Sequence, residues 1–163
     1  MHHPQIQMLL DITGQAFSKK SWHGANLRGS IRGLSLSQVQ WRPQPERHTI
    51  WEHVLHAAYW KYTVRRRLLN EKKGSFPRKG SDWFTPEDLS EKGWKQDVAL
   101  LVEIHVSLQK AIEALPVKKL NQFVAGSKST TFFELISGIA AHDVYHTGQI
   151  QLLKKLYHSD QSN

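Results

Sequence analysis

The chain contains no cysteine. That excludes disulfides, thiolate metal sites and a thiol nucleophile of the chain's own. It fits a reducing compartment, so the expected location is cytoplasmic. No apolar run approaches the roughly 18 residues that a membrane span needs, and no membrane partner is predicted. The start, Met1-His2-His3-Pro4, lacks a basic segment followed by an apolar stretch, so no secretory signal is predicted. Acids are the scarcer charge, 14 against 22 lysines and arginines, leaving a net charge of +8. Such an excess suits nucleic acid, an anionic surface or an acidic substrate. The basic residues are nevertheless spread along the chain. The densest run, Lys61 to Arg67, ends in three consecutive arginines that fan around a helix. It reads as a solvated face, and nucleic acid is not the expected partner. Convergence of these arginines with Arg78 and Lys79 on one surface would argue the reverse.

Clear period-two strand patterns are also missing, and the pattern that remains is helical. A chain of 163 residues is long enough for one domain, 1–163, with a real core. Ile6, Leu9, Leu10, Ile12 and Phe17 form an apolar stripe over Gln5–Lys20. Ser21 to Arg47 carries three glycines and two prolines and reads as a long loop, with a short helical turn at Ser35–Val39. Thr49 with Glu52 three residues on predicts a capping box and a second helix, ending between Asn70 and Lys73 before Gly74. Thr85-Pro86-Glu87-Asp88 reads as the start of a third helix, which runs to Leu115 and stops at Pro116. A fourth opens at Ser129 or Thr130 and extends beyond Leu153. Four helices with a long loop between the first two predict an all-α four-helix bundle.

His142 and His146 stand four residues apart on the fourth helix, so both imidazoles share a face. Ile139, Ile150 and Leu153 turn that face toward the core. Two ring nitrogens held so can grip one divalent ion, and bundle metal sites draw further ligands from facing helices. The second helix offers His53 and His56, three apart, and its apolar neighbours Val54, Leu55, Ala57 and Ala58 favour His56. His105 interrupts the stripe of the third helix and reads as a packing residue. Asp143, one step round from His142, reads as a surface acid or a supporting group. Arg28, Arg32 and Arg42 in the first loop are candidates for an anionic cofactor. Trp22, Trp41, Trp83 and Trp94 are candidates for a pocket wall.

The run Thr49-Ile50-Trp51-Glu52-His53-Val54-Leu55-His56-Ala57-Ala58-Tyr59-Trp60, followed by His142-Asp143-Val144-Tyr145-His146-Thr147-Gly148-Gln149-Ile150, resembles the DinB/YfiT-like superfamily. The resemblance covers nearly the whole chain in element order. It implies a four-helix bundle that binds a divalent metal through three histidines, one from the second helix and two from the last. On this sequence those are His56, His142 and His146. His53 stands where the family usually has an apolar residue, and so is an extra histidine beside the site.

The resemblance further implies a thiol-dependent S-transferase or isomerase, in which the metal activates a low-molecular-weight thiol such as bacillithiol or mycothiol. The partners would be that thiol and an electrophilic substrate, and the protein would form a homodimer. A metal-dependent hydrolase and a non-catalytic, metal-binding stress-response bundle are the alternatives. Nitrogen ligation suits zinc, nickel, iron or manganese, so the metal is not specified.

Overall fold

The computed structural model describes residues 3–74 and 76–162. Met1 and His2, part of the reading of the chain's start, lie outside the described residues. The described elements are helical: α1 (Pro4–Phe17), α2 (Leu27–Ser30), α3 (Leu36–Gln40), α4 (Ile50–Leu68), α5 (Glu91–Glu113) and α6 (Phe132–Asp160), with a 3₁₀ turn at Val117–Lys119. Among the described residues there is no strand, only two isolated bridges, and no helix is long and apolar enough to cross a membrane.

The four long helices form a closed ring, α1 against α5, α5 against α4, α4 against α6, and α6 back on α1. Hydroxyl caps start three of them. Thr49 and Thr131 each close a capping box, with Glu52 and Glu134, and Ser90 accepts from the Gly93 amide. α4 is followed by Asn70 in the left-handed region at φ 53°, so the reversal falls there and not at Gly74. The predicted long loop contains two short helices; α3, capped by Ser35, occupies the predicted turn.

The third long helix begins at Glu91, six residues after Thr85. The segment before it is held elsewhere: the Phe84 side chain is buried in the core, and the Asp88 carbonyl folds over the first turn of α5. A β-carbon on Gly93 would stand 1.9 Å from that carbonyl oxygen. Alanine would otherwise be favoured in a helix by about 1 kcal/mol. Here the clash dominates, and Gly93→Ala should lose about 1–3 kcal/mol net, read as a lower thermal midpoint.

The core is divided. One apolar cluster holds Phe17, Trp51, Val54, Leu55, Leu101, Ile150 and their neighbours. The other holds Ile6, Leu9, Val64, Leu108, Ile112, Ile136 and theirs. Between them on each long helix sits a buried polar residue: Thr13, Lys61, His105 and Asp143. Lys61 bonds to Asp143 and lies 3.3 Å from His105 Nδ1. His105 stacks on Phe17, and Gln109 donates to Thr13 at 2.6 Å. The expectation of a solvated Lys61 is therefore overturned, and so is the surface alternative for Asp143. Both side chains are about 1 % exposed, because their charges meet each other inside the bundle.

Candidate metal centre

α4 and α6 pack side by side and set His56 against His142 and His146. The inward stripe of α6 is Ile136, Ile139, Ala140, Asp143, His146, Thr147, Ile150 and Leu153. His146 lies within that stripe and His142 at its edge, half-buried. His56 Nε2 is 3.1 Å from His142 Nε2, which is 3.0 Å from His146 Nε2. One nitrogen from each ring lies within 4.8 Å of the other two.

Protons alone satisfy these contacts poorly. His56 Nδ1 is 2.8 Å from the Asp82 carbonyl oxygen, which can only accept. Neutral His56 therefore carries its proton on Nδ1 and presents a lone pair at Nε2. His142 Nε2 faces two other ring nitrogens, and its single site cannot serve both with one proton. Among the described residues His142 Nδ1 is buried without a hydrogen-bond partner. A cation among the three nitrogens fits this donor set.

The residues around the triad fix its rings. Trp83 stacks on His56 with centroids 3.9 Å apart, and His48 stacks on Trp83 at 3.5 Å. Asp82 adopts φ 66°, a left-handed conformation costly for a residue with a side chain, while its carbonyl meets His56. Its carboxylate accepts from Trp60 Nε1 at 2.8 Å. Asp82 and His48 carried no motif, so sequence reasoning missed them. The one available hint was a turn-forming Gly80-Ser81-Asp82 ahead of a tryptophan.

Burial lowers the basicity of the site. It brings His53 and His142 down to about 4, helped by His48 at the first and by His56 at the second. His146 falls further, through burial and then His142. Away from the triad, burial and then the Lys61 ammonium bring His105 down to about 3. These rings are neutral at pH 7, the form that ligates metal. An unfolded histidine takes up its proton near 6.5. Between there and about 3 the unfolded chain binds more protons, so stability falls as pH falls. Thermal midpoints of metal-free protein should decline steadily from pH 7 to 4, and His105→Leu should flatten part of that slope.

A cleft of about 890 Å³ opens beside the triad, lined at one end by His146, His53, His48, Trp83, Tyr145 and Gln149. Trp41, Leu152 and Leu156 line it further along. His53 is not in the triad, since its Nδ1 lies 2.9 Å from Nδ1 of His146. His105 is paired with Lys61. Arg42 is in an ion pair with Glu52, while Arg28 and Arg32 border a separate groove with Trp94 and Lys95. Trp22 is fully exposed, and Trp94 packs on Trp51. Arg65 pairs with Glu71 and Arg78 with Asp97, so these two are engaged in separate ion pairs.

The family described as the DinB superfamily matches the chain over residues 21–150. Comparison with curated proteins and with solved structures returned no match.

Proposed function

The chain belongs to the DinB superfamily, and from that premise we propose that it is a divalent-metal-dependent, thiol-using S-transferase whose ion is held by His56, His142 and His146. The convergence of three ring nitrogens within 4.8 Å carries the metal part of this reading. An ion held there supplies Lewis-acid chemistry, lowering the pKa of a coordinated thiol or water. The chain's own residues do the rest. Three neutral imidazoles leave the positive charge of the site intact. Asp82, Trp83 and His48 keep His56 in place, so little reorganisation accompanies binding.

The thiol part rests on the family resemblance, together with two features of the chain. There is no cysteine, so a sulfur nucleophile has to arrive as a small molecule. The cleft reaches His146 and is within the size range of ligand sites, with room for a cosubstrate and an electrophile. Arg47, Tyr145 and Gln149 offer polar contacts, and Trp41, Leu152 and Leu156 an apolar wall. Zinc, nickel, iron and manganese all suit the ligand set.

The test is metal analysis of protein purified without added metal, followed by cobalt substitution and titration with a small thiol. The expected result is one ion per chain and a new sulfur-to-cobalt charge-transfer band. A cobalt spectrum indifferent to thiol, with hydrolysis of an activated ester, would move the reading to a hydrolase. No bound metal at all would end both.

A further inference from the structure

His53 stands outside the triad but touches it. Its Nδ1 is 2.9 Å from Nδ1 of His146, with ring centroids 5.1 Å apart. His53 is itself buried at 6 % exposure, on the α4 turn before His56. The contact has a direction once His146 offers Nε2 to an ion. The proton of a neutral His146 is then on Nδ1, so His146 donates and His53 accepts. The His53 proton must in turn sit on Nε2.

That second nitrogen has no protein partner among the described residues. His53 lines the cleft beside His146. His48 packs edge-on to the His53 ring at 6.1 Å and Trp83 at 5.2 Å, which restricts its rotation.

We propose that His53 is the positioning residue of this centre: it holds His146 in the tautomer and orientation that aim Nε2 at the ion. The inference rests on the metal-binding reading and adds to it a residue outside the ligand set. Outer hydrogen-bond partners of ligating histidines are usually carboxylates or carbonyls, and losing one costs about 10–100-fold in metal affinity. An imidazole in that place does the same work without adding negative charge, so the ion keeps more of its Lewis acidity toward an incoming ligand.

The experiment compares wild type with His53→Leu and His53→Asn. Leucine keeps the bulk without an acceptor, and the asparagine side chain places a polar atom where Nδ1 was. Zinc affinity is measured by competition with a chromophoric chelator, and the visible spectrum of each cobalt form is recorded. His53→Leu should bind about 10–100-fold more weakly, with a shifted cobalt spectrum and unchanged circular dichroism. His53→Asn should recover most of the affinity and the wild-type spectrum. His53→Leu with wild-type affinity overturns the proposal, and so does His53→Asn as weak as His53→Leu. Failure of wild type to bind zinc would instead overturn the metal reading itself.

Discussion

Asp143→Ala should lower stability by about 3–5 kcal/mol, among the largest losses available to a single substitution in this chain. The carboxylate is fully buried, and its Oδ2 bonds to the Lys61 ammonium, itself about 1 % exposed. Burial raises the Asp143 carboxyl, and Lys61 opposes that shift. Removing the acid leaves an ammonium in the bundle whose remaining neighbours among the described residues are a histidine ring nitrogen at 3.3 Å and the Phe17 ring at 5.0 Å. For a domain of this size the loss corresponds to a thermal midpoint lower by roughly 6–20 °C. Lys61→Met alone should be comparably harmful, because it strands the carboxylate. Lys61→Met combined with Asp143→Leu should lie much closer to wild type, since apolar replacements of buried pairs are often neutral or stabilising by about 1–4 kcal/mol. Melting curves of the four metal-free proteins close the cycle. Additive losses in the double variant would mean that the pair is not one unit.

That pair also marks where the sequence stopped being readable. The helices announce themselves through periodic apolar positions and hydroxyl caps, and Thr49 with Glu52 forms the capping box that the pattern predicts. His142 and His146 are legible because four residues make one helical turn. Their union with His56 needed the family resemblance, since His53 has the same residue type on the same helix. What distinguishes the two is which ring nitrogen meets which neighbour, and no spacing rule carries that. Lys61 looked like part of a basic run because periodicity reports a face, not the partner facing it. Only the packing of α4 on α6 brings Asp143 to it. Likewise Asp82 acts through its backbone carbonyl, for which the identity of the side chain is nearly silent.

His142→Ala should abolish metal binding while leaving the fold nearly intact. The two effects separate because of where the ring sits. It is half-buried at the edge of the α6 stripe, so truncation opens little of the core. Yet it is the middle nitrogen, within 3.1 Å of His56 and 3.0 Å of His146. Loss of an outer partner costs about 10–100-fold in affinity, and loss of a ligand should exceed that. Thermal stability gives a readout independent of any reaction. An ion that binds only the folded chain adds about 2.7 kcal/mol at one hundred times its Kd, or roughly 5–11 °C for wild type. His142→Ala should show no such rise at the same zinc concentration, and neither should His56→Ala or His146→Ala. His105→Ala provides the control. It removes a more deeply buried histidine outside the triad, so it should lower the starting midpoint but keep the zinc-dependent increment. A zinc-dependent rise in His142→Ala equal to that of wild type would place the ion elsewhere. The contrast between a half-buried histidine that is sensitive to metal and a buried one that is not is what tells a ligand set from a core that happens to be rich in imidazole.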